Sequence, residues 1–240
     1  ATLRYPDSTN QLGYLRNGLL KSVSNERGSV SLAYNGANRL TNVTVAMNGL
    51  AAQNVAYEQD PVGNVTRVVS AAGTNQYLFD GGNRVTNVLV ARPGGQTARF
   101  AFSYNTDNGL LDQVLLTNTG YRVRSHYDFM DRLIALEYKK SALETFAHVA
   151  FDYDEGSGLM TQKVTTISGQ VIRESYRFDD LDRLEGEKRI DGYGRVVYDL
   201  AYEYDLVGNR LAKHHRTGEG VGTNVTVSYQ LAQQGNRLLG

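Results

Sequence analysis

Tyr127-Asp128-Phe129-Met130-Asp131-Arg132-Leu133 is one copy of the phrase that decides this fold. It reads as an aromatic residue, Asp or Asn, three loose positions, then Arg, Asn or Gly, and an aliphatic residue. Two further copies are equally clear, Phe178-Asp179-Asp180-Leu181-Asp182-Arg183-Leu184 and Phe79-Asp80-Gly81-Gly82-Asn83-Arg84-Val85. Weaker copies begin at Tyr14, Tyr34, Gln59, Tyr104, Tyr153, Tyr204 and, without its aromatic, Ala232. They carry the motif through Tyr34, Arg39 and Leu40, through Tyr153, Asp154 and Gly158, and through Tyr204, Asp205, Gly208 and Asn209. Successive copies start 20 to 28 residues apart. That regularity means one supersecondary unit stacked many times, with each unit burying its apolar face against its neighbours.

Working outward from the phrase, the residues before it alternate in character. Tyr198, Leu200, Tyr202 and Tyr204 form one such run, Ala98, Phe100, Phe102 and Tyr104 another, and Val149, Phe151 and Tyr153 a third. Period two predicts a strand with one buried face. After the phrase a second β-rich run follows, as in 40–45, 85–90, 110–116 and 133–138. Turn signals come next, at Asn48-Gly49, Ala72-Gly73, Pro93-Gly94-Gly95, Thr119-Gly120, Ser168-Gly169, Asp191-Gly192 and Thr217-Gly218. Each unit is therefore an outgoing strand and a returning strand. The phrase forms the other turn, its Asp or Asn bonding nearby amides and its Gly or Asn taking a left-handed conformation. Ten units give roughly twenty strands, about 95 Å of sheet at ~4.8 Å per strand. A strip that wide must curl, so the expected fold is all-β: a curled or spiralling antiparallel sheet, barrel-like or part of a hollow shell. One repeat domain over 1–240 is expected, as a fragment of a larger shell.

Composition fits this picture and narrows the function. With 41% apolar and 21% charged residues the chain is too apolar for disorder. Sixteen Tyr and 25 Gly against three Pro favour many short strands joined by turns. Twenty-five basic and 25 acidic residues cancel, so no global field draws nucleic acid or an anionic membrane. No apolar run reaches the ~20 residues of a membrane helix, and neither nucleic acid nor membrane insertion is expected. The absence of cysteine removes disulfides, thiol catalysis and cysteine-ligated zinc together.

The phrases Tyr202-Glu203-Tyr204-Asp205-Leu206-Val207-Gly208-Asn209-Arg210-Leu211 and Phe178-Asp179-Asp180-Leu181-Asp182-Arg183-Leu184 resemble the YD repeats of Rhs proteins. The same repeats occur in teneurins and in the B and C components of bacterial insecticidal toxin complexes. The resemblance covers about 12–239. It implies a secreted or cell-surface protein whose β-strip spirals into a hollow shell, enclosing a cytotoxic segment in the bacterial toxins and forming an extracellular scaffold in teneurins. The partners it implies are further YD repeats or an enclosed polypeptide. In the toxins the repeats end in a segment that cleaves itself near an Asp-Pro-x-Gly-Leu sequence. Asp60-Pro61-Val62-Gly63-Asn64 shares only the first letters and lies inside the third repeat, so it reads as an ordinary turn. Self-cleavage and toxin activity are not carried over.

Catalytic, metal and cofactor chemistry has little support in the residues. The carboxylates Asp128 with Asp131, and Asp179 with Asp180 and Asp182, recur with the repeat and so read as turn formers rather than as an acid pair. Asp152-Tyr153-Asp154-Glu155-Gly156-Ser157-Gly158 begins like a calcium loop, but the twelfth position is Lys163 and the flanking residues read as strand. His126, His148, His214 and His215 are expected at solvated or edge positions, and His214 and His215 point to opposite faces. The acceptor triplets at Asn42, Asn64 and Asn224 read as an Asn that closes a turn before a Val-Thr strand start. The expectation is a non-catalytic wall without cofactor. The alternative is an adhesion module that binds glycans or a protein through exposed tyrosines. Accessibility of Tyr57, Tyr77, Tyr127, Tyr153, Tyr176, Tyr202 and Tyr204 separates the two.

Overall fold

In the computed structural model the chain is all-β, with residues 2–5, 8–216 and 225–229 described. Twenty strands follow one another among them, joined as antiparallel hairpins. The phrase at Ala232, the Thr217-Gly218 turn and Asn224 lie outside the described residues.

The chain divides into two compact units, Ala1–Ser103 with Val114–Thr119, and Tyr104–Gln113 with Gly120–Gly240. The first unit contains β1 (Thr2–Tyr5), β2 (Ser8–Tyr14), β3 (Leu20–Asn25), β4 (Gly28–Tyr34), β5 (Leu40–Met47), β6 (Gln53–Gln59), β7 (Val65–Ser70), β8 (Gly73–Phe79), β9 (Val85–Ala91) and β10 (Thr97–Tyr104) up to Ser103. The strand β11 (Leu111–Leu116) is divided after Gln113. The second unit contains β12 (Tyr121–Tyr127), β13 (Leu133–Lys139), β14 (Thr145–Tyr153), β15 (Met160–Ile167), β16 (Gln170–Phe178), β17 (Leu184–Ile190), β18 (Val196–Tyr204), β19 (Arg210–Arg216) and β20 (Val225–Ser228).

Register shows why these sequences pair as they do. In the first unit Val23 stands opposite Val30, Val30 opposite Val45, Leu32 opposite Val43 and Val43 opposite Val55. Tyr57 pairs with Val68, Tyr77 with Val88 and Phe100 with Val88. These β-branched and aromatic residues form one continuous apolar face, which carries the phrase tyrosines; it is called here the tyrosine face. The other face runs through Ser22, Ser31, Thr44 and Asn54. Shifting any strand by one residue would exchange the two faces, so the alternation itself fixes the register.

The second unit keeps this plan and changes its chemistry. Ala147, Val149, Leu200 and Tyr202, each 8–9% exposed, are the most enclosed side chains of its tyrosine face. Between them, one cross-strand row on that face reads Phe151, Lys163, Glu174, Arg189, Tyr198. His215 faces Leu200 and His214 faces Ala201, so the adjacent histidines do point to opposite faces. Two of the four histidines also make contacts from these positions. The His214 ring lies 3.0 Å from Thr226, its direct cross-strand partner, and 2.8 Å from Glu203, while His126 lies 3.4 Å from Glu137, both carboxylates being diagonal neighbours on the same face. Asn42 also departs from its expected place: it sits inside β5, with Thr44 Oγ1 donating to it, whereas Asn64 does close a turn.

Candidate functional site

The feature that recurs through both units is the edge formed by the phrase turns. At Asp128 the amide donates to the Arg132 carbonyl (3.0 Å), and the Asp131 amide donates back to the Asp128 carbonyl (3.1 Å). Asp131 is left-handed at φ 61°, and the strand register shifts between His126 and Tyr127. This is a three-residue hairpin loop, a turn followed by one left-handed residue that makes a bulge. The same pair of backbone bonds recurs at Leu15, Asn35, Asp60, Asp80, Asp179 and Asp205. At Asn105 and Asp154 the loop is one residue longer, closing on Leu110 and Leu159. The left-handed position is filled by Gly18, Gly63, Gly109, Gly158 and Gly208 and by Asn38 and Asn83, as expected. Asp131 and Asp182 also occupy it, a place the sequence reading reserved for Gly and Asn. A short polar side chain tolerates that region, so the departure has a physical reason.

Where the turn begins with Asp, the carboxylate builds it. Asp128 Oδ1 accepts the amides of Met130 and Arg132, both at 2.9 Å, while Oδ2 accepts Arg132 Nε at 2.7 Å. Asp80 with Arg84 and Asp179 with Arg183 repeat this geometry. In Asp205, Oδ2 accepts Asn209 Nδ2 at 2.8 Å, so Asn209 replaces the arginine. Asp154 instead gathers Gly156, Ser157 and the Ser157 hydroxyl, which closes the supposed calcium loop as a plain turn. Hydrogen bonds to the ionised form hold these acids below the ordinary carboxylate range. At Asp80 the Arg84 amide contributes most, and at Asp205 the Asn209 side chain. At Asp128 and Asp179 partial burial pulls upward but is outweighed by the bonds to Arg132 and Arg183.

These groups therefore stabilise the fold above their unfolded pKa of about 3.9, and that contribution is lost as pH falls through the lower folded values. The double substitution Asp128→Asn with Asp179→Asn is expected to lower stability at neutral pH. It should also flatten the loss below about pH 4, which acid titration of urea unfolding midpoints would read.

Successive turns are stitched together, a feature the sequence reading missed. Tyr34 donates its hydroxyl to the carbonyl of Leu20 (2.8 Å), Tyr127 to Leu111 (3.0 Å), Tyr153 to Leu133 (2.8 Å) and Tyr204 to Leu184 (2.8 Å). Each acceptor is the aliphatic residue that follows the closing residue of the preceding phrase turn. Gln59, where the aromatic is lost, keeps the donor: its Nε2 reaches the Leu40 carbonyl at 2.5 Å. That substitution was the readable signal, since Gln and Tyr share only a hydrogen-bonding tip. Phe79 and Phe178 end β8 and β16 without a hydroxyl. Removing one stitch by Tyr153→Phe or Tyr204→Phe is expected to cost about 1 kcal/mol by urea unfolding, since it strands a half-buried carbonyl.

Arginines reach the other way. Arg39 donates to the carbonyls of Asp60 (2.8 Å) and Pro61 (2.9 Å), and Arg183 to that of Asp205 (2.8 Å). The guanidinium of Arg132 lies 4.8 Å from the Tyr153 ring centre and that of Arg183 4.9 Å from Tyr204. Side-chain bonds from Asn17 to Asn38, Asn64 to Asn83 and Asn108 to Asp131 complete the row.

The turn with its carboxylate also appears on the opposite edge. Asp191 Oδ1 accepts the amides of Tyr193 and Arg195, Oδ2 accepts Arg195 Nε, and Gly194 is left-handed at φ 81°. The sequence reading took Asp191-Gly192 for a simple hairpin turn. The letters Asp-x-x-Gly-Arg carried the signal, hidden because Ile190 stands where the aromatic belongs.

The remaining polar cluster lies on the tyrosine face of the second unit. Glu174 accepts Lys163 Nζ at 2.9 Å and lies 3.5 Å from Arg189, and Tyr202 donates to Glu187 at 2.6 Å. Its hydrogen bond to Glu174 raises the Lys163 pKa. Burial raises the Tyr202 phenol to about 12, helped by its bond to Glu187. Glu174 is paired with Lys163 and Arg189, whereas Glu187 is held by the neutral Tyr202 hydroxyl. Among the described residues no group of three or more His, Asp or Glu side chains is placed to hold a metal ion.

Stacked two-stranded units, stitched along one edge, define a β-meander repeat protein. Solved structures with this fold include TcdB2-TccC3 with Cdc42 (TM-score 0.76, 13% identity) and TcdB2-TccC3 without its hypervariable C-terminal region (0.76, 12%), each matched over 99% of this chain. The Photorhabdus luminescens Tc holotoxin pore matches over 92% (0.56, 12%). This chain spans 14% of the length of each of those chains, and at such identity the likeness is one of fold. Neither a protein-family model nor a curated protein matches the sequence.

Proposed function

We propose that this chain is a non-catalytic wall segment of a secreted or surface-displayed YD-repeat shell, which encloses or presents a toxin or other polypeptide. The observation that carries this reading is the likeness of fold to TcdB2-TccC3 across 99% of the chain. It is found equally in the structure without the hypervariable C-terminal region, so the matched part is not that region. The turn chemistry supports the same reading. Carboxylates that could have served an enzyme are spent within their own turns, and the hydroxyls of Tyr34, Tyr127, Tyr153 and Tyr204 are spent on neighbouring repeats. A glycan-binding surface would need those groups free.

The test is the native mass of the particle purified from its source, followed by its denatured mass. The expected result is a particle larger than this chain that releases an additional polypeptide on denaturation. A monodisperse particle of one 26.5 kDa chain would overturn the reading.

A further inference from the structure

We infer that a hollow beside Gly28, on the tyrosine face of the first unit, is a binding site for a linear aliphatic carboxylate. Its volume is about 340 Å³, within the ~300–1,000 Å³ of small-molecule sites. The walls are Val23, Val30, Val45 and Met47, which the register places on one face of β3, β4 and β5. Gly28, which stands in register between Asn25 and Met47, adds no side chain to the lining. The hollow cannot be filled from that position: a Cβ there would meet the carbonyl oxygen of Ala46 and lie 3.0 Å from Met47 Cα.

The rim supplies the charge. Arg27 lines the hollow, and none of the other lining residues is acidic. Its backbone is held on both sides, the amide donating to Asn25 Oδ1 (2.9 Å) and the carbonyl accepting from Asn48 N (3.1 Å). Its guanidinium makes no hydrogen bond or ion pair among the described residues, unlike Arg39 or Arg84. Apolar walls with one cationic residue in the lining, unpaired among the described residues, select a ligand with an alkyl tail and an anionic head. Each buried methylene should strengthen binding about fourfold. The exposed ion pair should add about fivefold, enough to set which head group is accepted.

The experiment titrates the full chain with decanoate below its micellar concentration, following methyl NMR signals with calorimetry alongside. Saturable binding is expected, with shifts concentrated at Val23, Val30, Val45 and Met47. Relative to decanoate, decanol should bind about fivefold more weakly, decylammonium more weakly than decanol, and octanoate, two methylenes shorter, about 15-fold more weakly. Arg27→Gln, a surface change that leaves the sheet intact, should weaken decanoate about fivefold without affecting decanol. Val45→Phe, checked for an unchanged β-sheet circular dichroism spectrum, should abolish binding of both. Decanol binding as tightly as decanoate, an Arg27→Gln variant equal to wild type, or shifts spread along the whole tyrosine face would each overturn the assignment.

Discussion

Replacing Gly73 by alanine is expected to destabilise the first unit by about 3 kcal/mol, the sum of an overpacking and a backbone-strain cost. Gly73 opens β8 at φ 129°, a region L-residues avoid, and a Cβ there would run into the Ala91 carbonyl oxygen while lying 3.1 Å from Arg92 Cα. Both obstacles are backbone, which cannot swing aside as a side chain would. Gly49 provides the control. It is also left-handed, at φ 79°, but nothing lies within 4 Å of where its Cβ would stand. Gly49→Ala should therefore cost only the conformational part, about 1 kcal/mol. Urea unfolding of the two variants separates close approach from φ preference, and equal losses would show that the Ala91 contact yields without cost.

Above pH 10 the second unit is expected to lose stability, on the order of 2 kcal/mol by pH 12, through Tyr202 alone. Its phenol is 8% exposed, donates to Glu187 at 2.6 Å, and titrates at about 12 in the folded chain. In the unfolded chain it titrates near 10. Between those values the unfolded state sheds a proton that the folded state keeps, so rising pH favours unfolding. Tyr176 and Tyr198 are shifted in the same direction, by burial first and by the nearby glutamates second, and add to the slope. Tyr202→Phe should lower stability at pH 7, where Glu187 loses its donor, yet flatten the alkaline slope. An unchanged slope in that variant would place the phenol's titration elsewhere.

Much of this molecule was readable from alternation and spacing alone. Tyr198, Leu200, Tyr202 and Tyr204 announced β18 and its buried face, and the Asp-to-amide turns followed from residue chemistry at fixed offsets. What escaped the reading needed a partner from another repeat. No local pattern says that the Tyr153 hydroxyl ends on the Leu133 carbonyl, because the acceptor is a backbone atom that every residue possesses. The Lys163, Glu174 and Arg189 row was hidden for a related reason. The three residues lie on β15, β16 and β17, and only a register known to the residue brings them side by side. The histidine contacts were hidden in the same way: His214 and Glu203 are eleven positions apart in sequence and adjacent in space.

The two kinds of stitch along the phrase edge run in opposite senses, tyrosine hydroxyls reaching back one repeat and arginines reaching forward one. Under tension a hairpin meander opens like a zip, one rung at a time and at low force, with nothing to slow it between rungs. Clasps that join one repeat to the next, where they occur, interrupt that motion. Within a unit the strip would then pay out in jerks, each releasing about 25 residues, or roughly 85 Å of slack, before the next clasp takes the load. Length gained under pulling is thereby metered by the repeat, and a sheet of this kind tears along its own stitching in measured steps rather than all at once.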